Sequence, residues 1–384
     1  MLMSRWIVRV GMMLLAVMLV VTGSAVIVGR LEHAYTLRRE LAYVQQQGLT
    51  TRLILQDTNR GVPIVLMSLP RAAEVAGNSG GSDLYWSPDG EKLAFIQENA
   101  NGSSELVVID LATLSHTGRT ISGLGGRLSW TSDSRTLTYS RFGFPDRWNI
   151  YTIEVTLLTE ALIDDTPPLI QRGRNSFNGL WSPDGRILAY QTGDVSDYPR
   201  SLLLQVEDQP PHPVTRPPFT VVGGLAFSPD STRLIFTGIP LQTEQGILAP
   251  PVHLYVVDVE RPRSFASIPL FHAEPKLLSA NPGAVSASAW SPDGTQIAFV
   301  ASDESETALY IVDSDRAEVL PVGVKLPGEV SSLSWSPDQT YLALGGSKVG
   351  GLSDLYLYTP DTQTLQPLLT SPLRENAPVW RPEG

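Results

Sequence analysis

No cysteine occurs anywhere in the 384 residues. That excludes disulfides, thiolate metal sites, c-type haem attachment and a lipid anchor on an N-terminal cysteine. It leaves the compartment open, because a large, well-packed domain outside the cell needs no disulfides. Charge is sparse as well: only 17% of the residues are charged, and no long run of one sign occurs. Basic groups are the scarcer kind. The first 48 residues hold five arginines and two glutamates, so the remainder carries 23 basic and 37 acidic side chains. Such an acidic body is a poor partner for a phosphate backbone, whose binding rests on Lys and Arg, and no nucleic-acid partner is expected.

Chemical signatures are missing too. The histidines, His33, His116, His212, His253 and His272, are scattered, and none lies in an HExxH or comparable metal-binding spacing. No G-x-S-x-G, Walker A or dinucleotide fingerprint occurs. No catalytic residue, metal site or cofactor is therefore assigned, and the reading leans away from an enzyme. Asp313-x-Asp315 lacks the rest of a calcium loop.

What is present is turn chemistry and apolar residues. The chain has 32 glycines, 30 prolines and a hydrophobic share of 42%, a mix that suits a turn-dense all-β protein. One long uncharged run stands apart, Val10 to Gly29, bounded by Arg9 and Arg30. As a helix it spans roughly 30 Å, the thickness of bilayer hydrocarbon. The expectation is a short tail (1–9), a transmembrane signal-anchor helix (10–29) and a juxtamembrane helical linker (30–48), whose Ala34, Leu37, Leu41 and Val44 form one apolar stripe. The rival reading is a signal peptide cleaved after Gly23-Ser24-Ala25. Either way the rest of the chain is expected outside the cytoplasm, as a single-pass membrane protein in the first case.

From residue 84 one pattern recurs: LYWSPDGEKLAFI (84–96), LSWTSDSRTLTYS (128–140), GLWSPDGRILAYQ (179–191), LAFSPDSTRLIFT (225–237), SAWSPDGTQIAFV (288–300), LSWSPDQTYLALG (333–345) and PVWRPEG (378–384). Its aromatic anchors, Trp86, Trp130, Trp181, Phe227, Trp290, Trp335 and Trp380, are spaced by 44, 51, 46, 63, 45 and 45 residues. A period in the forties with strand-like content signals propeller blades. The anchor ends a first strand, Ser-Pro-Asp-Gly turns the chain, and a second strand follows. Third strands are read at Glu105–Ile109, Asn149–Ile153, Ser201–Val206, His253–Val257, Ala308–Val312 and Asp354–Tyr358.

These copies resemble the TolB-like (PD40, WD40-like) propeller repeat, which is marked by the same W-S-P-D-G-x-x-I/L-A-F/Y core and the L-Y-V-x-D strand after it. The resemblance covers residues 50–384 and implies an all-β, seven-bladed propeller. It implies no particular activity, since such repeats occur in many proteins. The last copy stops soon after its anchor, while Thr51–Leu55 and Pro63–Ser68 read as second and third strands without an anchor of their own. The C-terminal strand is therefore expected to close the N-terminal blade and remove two open sheet edges.

The loops opposite the S-P-D-G turns carry the irregular sequence, and binding concentrates in such loops on rigid scaffolds. The sharpest candidate is the loop after the second strand of blade 2, with Arg141, Phe142, Phe144, Arg147 and Trp148, residue types enriched at binding hot spots. The bland reading is that Phe142 and Trp148 cap the blade's own edge. The leading expectation is a non-enzymatic, membrane-anchored, extracytoplasmic propeller that binds a protein or peptide, in envelope assembly or transport. The alternatives are a ligand-binding or lyase-type propeller using the central channel, and a structural sensor ectodomain.

Overall fold

The computed structural model describes residues 39–383, apart from 59–61, 77–82, 144–146, 156–174, 194–199, 207–210, 216–218, 241–251, 260–275, 278–282, 304–305, 316–318, 348–352 and 370–372. Within it seven antiparallel sheets follow one another along the chain and form a seven-bladed propeller. Blades 1 to 6 cover residues 74–120, 124–154, 175–213, 219–277, 284–325 and 330–367. Blade 7 joins the two ends: Arg374–Trp380 is its inner strand, and Glu40–Gln47, Thr50–Asp57 and Pro63–Ser68 follow outward. All six third strands read from the repeat are present, one of them, Ser201–Val206, with identical bounds.

The repeat's conserved-looking turn is a small hydrogen-bonded unit, made six times over. In blade 5, Ser291 Oγ donates to Asp293 Oδ1 (2.7 Å) and accepts the backbone N–H of Gln296 (2.9 Å), while Asp293 Oδ1 accepts the N–H of Thr295 (3.0 Å). Ser87, Thr131, Ser182, Ser228 and Ser336 make the same contacts in their blades. The residue after Asp has positive φ. It is Gly90, Gly185 and Gly294 in the odd blades, but Ser134 (59°), Ser231 (62°) and Gln339 (60°) in the even ones. The departures from glycine have a use that offsets the strain. Ser134 and Ser231 accept the N–H of Asp89 and Asp184 in the preceding blade, each at 3.1 Å, and Gln339 bonds Asp293. Alternate turns are stitched to their neighbours this way.

The anchors stitch the inner layer. The indole N–H of Trp130 donates to Tyr85 O (3.0 Å), that of Trp290 to Ala226 O (3.0 Å) and that of Trp86 to Val379 O (3.3 Å). Trp181 reaches back to Thr138 Oγ1 (2.8 Å). These four tryptophans thus bury a large apolar surface between blades and satisfy their polar atoms on the blade before, whereas the indole nitrogens of Trp335 and Trp380 are buried with no hydrogen-bond partner among the described residues. The Phe227 side chain at this position has no N–H to give.

Closure differs in detail from the sequence reading. Residues 40–47 are a strand, where a helical linker over 30–48 was expected, and the propeller begins at residue 39, ahead of the expected start at 50. Thr50–Asp57 and Pro63–Ser68 are consequently the third and fourth strands of blade 7, one place further out than expected. The physical reason is burial on both faces: Leu41, Ala42, Tyr43 and Val44 are all buried, which erases the alternation that marks a strand. Glu40–Gln47 pairs with the C-terminal strand, Leu41 opposite Trp380 and Gln46 opposite Arg374. A polar clasp holds the seam. Arg381 binds Glu40 and donates from Nε to Gly90 O (2.6 Å), and Arg39 pairs with Asp338 (2.6 Å) while lying over the Tyr341 ring.

Among the described residues no helix is long and apolar enough to cross a membrane. The run Val10–Gly29 and residues 30–38 lie outside the described residues.

The seam also carries a titrating group. Tyr43 donates to Gln56 Oε1 (3.4 Å), and burial, reinforced by the charge of Glu375, pushes its phenol up to about 12. The unfolded phenol ionises near pH 10, so the stability this group contributes is complete below about pH 10 and is lost as pH rises toward 12. Equilibrium denaturation across that range should show a falling stability that Tyr43→Phe makes shallower. An unchanged slope in the variant would place the alkaline transition elsewhere.

Candidate functional site: the central channel

Seven inner strands converge on the axis, and the residues just before six of the anchors are small where they meet: Gly125-Gly126, Asn178-Gly179, Gly223-Gly224, Ser286-Ala287-Ser288, Ser331-Ser332 and Ala377-Pro378. Six of the inner strands carry register shifts there, opposite their second strands. In blade 1 the inner strand is interrupted outright, with Glu74–Val75 and Tyr85–Trp86 both paired to Lys92–Glu98. Bulges of this kind re-aim side chains, here into the channel. Gly126 shows the constraint: its φ is 75°, and a Cβ would approach Asn178 Oδ1 to 2.9 Å.

The channel is a cavity of about 490 Å³ to which every blade contributes lining residues. Its polar groups are ordered by one another. Arg127 sends Nη1 from blade 2 to the carbonyl of Leu225 in blade 4 (2.7 Å), and its guanidinium lies 6.0 Å from the centre of the Tyr85 ring. Its backbone N–H donates to Asn178 Oδ1 (3.1 Å), and Asn178 Nδ2 donates to the fully buried Gln191 (2.8 Å). Tyr85 donates its hydroxyl to Asp83 Oδ2 (3.1 Å); burial first, and then the Asp83 charge, raise its pKa well above 10, so it stays a donor. Arg200 stacks over Phe177 at 5.5 Å. Arg127 Nε, Ser288 Oγ and Ser332 Oγ are buried with no hydrogen-bond partner. The lining thus offers cationic and hydroxyl donors around a cavity of ligand size. Among the described residues, no three His, Cys, Asp or Glu side chains converge as a metal site.

The loop singled out from sequence is a hairpin at the mouth of this cavity. Phe142 pairs with Trp148 across it, ring centroids 5.8 Å apart, and Gly143 faces Arg147. Trp148 lines the cavity and lies against Gly125, where a Cβ would come within 2.9 Å of its ring. Its backbone N–H is held by Asn175 Oδ1 of blade 3 (2.9 Å). Phe142 is 44% exposed. Arg141 is turned away, donating Nε to Ser122 O (3.0 Å) over the Tyr151 ring. Arg147 is half-buried, and Phe144 lies outside the described residues. Sequence reasoning passed over Arg127, Asn178, Gln191 and Arg200. The available signal was the run of small residues two to five places before six of the seven anchors, which marks strand segments facing the axis.

No protein-family model matches the chain, and no curated protein matches it. Solved structures do resemble it. TolB from Acinetobacter baumannii is 16% identical with a TM-score of 0.52, over 90% of this chain and 67% of that one. The β-propeller domain of the Trilobed protease from Pyrococcus furiosus is 17% identical with a TM-score of 0.59, over 87% of this chain and 96% of that one. An oligogalacturonate lyase in complex with manganese is 18% identical with a TM-score of 0.59, over 82% and 84%. The fold is thus the propeller shared by TolB and its WD40-like neighbours, as the repeat implied. The Pyrococcus domain is described as an open velcro topology; here the last strand pairs with the first and the ring is closed.

Proposed function

We propose that this protein is a non-catalytic binding propeller that takes a protein or peptide partner at the channel mouth formed by blades 2 to 4. In this reading the segment 10–29 holds it to a membrane, with the propeller on the extracytoplasmic side. The observation that carries the reading is the cavity itself, closed around by all seven blades and lined by Trp148 and Phe177, with the exposed Phe142 against the Trp148 ring. Aromatic groups at the rim of a concave, donor-lined site are what a bound chain uses as anchors. Structures with the same fold belong to TolB, a protease and a lyase, so the fold does not choose among activities and the argument rests on the site. A second reading, a small ligand held deep in the channel, is favoured by the convergence of Arg127 and Arg200 on the same cavity.

A photoreactive residue at position 142 should give a discrete adduct in native membranes that the same residue at Leu277, 40% exposed on the outer strand of blade 4, does not. Equal labelling from both positions would contradict the mouth as the site. Phe142→Asp should weaken that capture severalfold while changing stability by no more than about 0.5 kcal/mol, the range of surface substitutions. Placement is read separately: protease added to spheroplasts should digest the propeller, whereas protection until lysis would put it in the cytoplasm.

A further inference from the structure

Among the described residues, the channel holds a cation, Arg127, that the fold does not neutralise. The contacts of the Arg127 side chain among those residues are with neutral groups: the Leu225 carbonyl and the face of the Tyr85 ring. Its Nε is buried with no acceptor. A buried donor left unpaired is costly, and more so on a charged group. Asp83, the carboxylate lining the same cavity among the described residues, takes the Tyr85 hydroxyl. Beside Arg127 the small inner-strand residues leave open space, and across it stand Ser288 and Ser332, whose buried hydroxyl oxygens have no partners.

We propose that Arg127 is the receptor for a carboxylate carried by a bound peptide, which enters past Trp148 and sets its anionic end between the guanidinium and the Ser288 and Ser332 hydroxyls. The inference rests on the channel-mouth reading above and goes beyond it by naming the group recognised and the residue that recognises it. Charge selects a carboxylate over a phosphate. Arg127, Arg200 and Asp83 leave the cavity lining with one net positive charge, which a monoanion balances and a dianion exceeds. The acidic body of the protein repels anions at long range, so the discrimination has to be made locally, inside the channel, where the dielectric is low. A guanidinium also holds a carboxylate through short, bidentate charge-assisted hydrogen bonds.

The test uses the full-length protein in detergent and a mixed-sequence library of N-acetylated tetrapeptides, prepared as free acids and as C-terminal amides, read by ligand-observed NMR. Free acids should be retained at least about tenfold better than amides, a factor that corresponds to about 1.4 kcal/mol. Amides that contain Asp or Glu and bind as well as the free acids would assign the carboxylate to a side chain and still support the proposal. Amides without acidic residues binding as well as acids would overturn it, as would competition by acetate or succinate at the peptides' own concentrations, which would make the ligand a small free acid. Arg127→Gln should abolish the acid preference and Arg127→Lys retain part of it, each with a wild-type melting temperature as the control. The acid-to-amide comparison on the wild-type protein decides the matter even if a variant fails to fold. Unchanged crosslinking at position 142 in Arg127→Gln, together with no acid preference in the wild type, would sink the carboxylate receptor while leaving the channel-mouth reading intact.

Discussion

A chain that begins at Leu49, and so lacks the strand Glu40–Gln47, should show no cooperative thermal transition, whereas a chain that begins at Arg39 should melt like the whole propeller. The missing strand is the middle of the seam. Leu41 and Ala42 are fully buried, Tyr43 and Val44 nearly so, and the strand pairs with Arg374–Trp380 on one side and Thr50–Asp57 on the other. Burying each large apolar side chain contributes about 1.5–3 kcal/mol. Three of them, with two ladders of backbone hydrogen bonds, approach the whole stability of an ordinary domain, about 5–15 kcal/mol. The loss also strands the inner strand of blade 7, where Ala377 and Trp380 are buried against the ring, and leaves two sheet edges open. Circular dichroism melts of the two chains make the comparison, and equal midpoints would show that the strand is dispensable.

The second large effect concerns the repeated turn. Ser291 is fully buried, and its hydroxyl is donor to Asp293 and acceptor for Gln296 at once. Ser291→Ala leaves the Gln296 N–H without that acceptor and should cost about 1–3 kcal/mol. The cost should depend on pH in a defined direction. Partial burial pushes the Asp293 carboxyl up, but hydrogen bonds from Ser291, Thr295 and Gln339 outweigh it and hold the group below its ordinary 3.8. A depressed carboxylate contributes stability above about pH 4 that disappears as pH falls through its folded value. The gap between wild type and Ser291→Ala should therefore be widest near neutrality and narrow below pH 4. Urea melts at pH 7 and pH 3.5 give the answer; a gap that stays constant with pH would mean that the serine acts through packing alone. Asp89, Asp133, Asp230 and Asp338 are held below 3.8 in the same kind of turn, so acid should loosen several blades together.

Much of the ring was legible because each blade repeats its own local chemistry. A turn such as Ser228-Pro229-Asp230 and a following Leu234-Ile235-Phe236 are short-range signals, complete within a dozen residues. The strand Glu40–Gln47 was legible too, since its Leu41-Ala42-Tyr43 is the same triplet as Leu188-Ala189-Tyr190 in blade 3. It was obscured because the chain breaks inside the repeat: Arg381-Pro382-Glu383 stands where the turn begins, at the far end of the sequence. A four-residue buried run also satisfies a helical stripe as readily as a strand. The channel site was hidden for a different reason. Arg127 and Leu225 are 98 positions apart, and which small segments face the axis follows from the way seven blades meet, a matter of tertiary geometry that periodicity does not encode. Phe142 and Trp148 stood out by composition; Trp148 lines the cavity with Phe142 against its ring, whereas Arg141 from the same loop bonds Ser122 and lies over Tyr151.

A channel lined by seven blades exists only if the two ends of the chain meet in blade 7, and the absence of cysteine makes that meeting easy to measure. Gln46 and Arg374 are directly opposite in the seam, and directly opposed antiparallel residues have Cα atoms about 4.5–5.5 Å apart, within the roughly 4.4–6.8 Å that a disulfide accepts. In the double variant Gln46→Cys with Arg374→Cys, mild oxidation should consume both thiols within the monomer and raise the melting temperature, because it closes nearly the entire chain into one loop. Two thiols that remain reactive in the folded protein would contradict the closed ring and the channel with it.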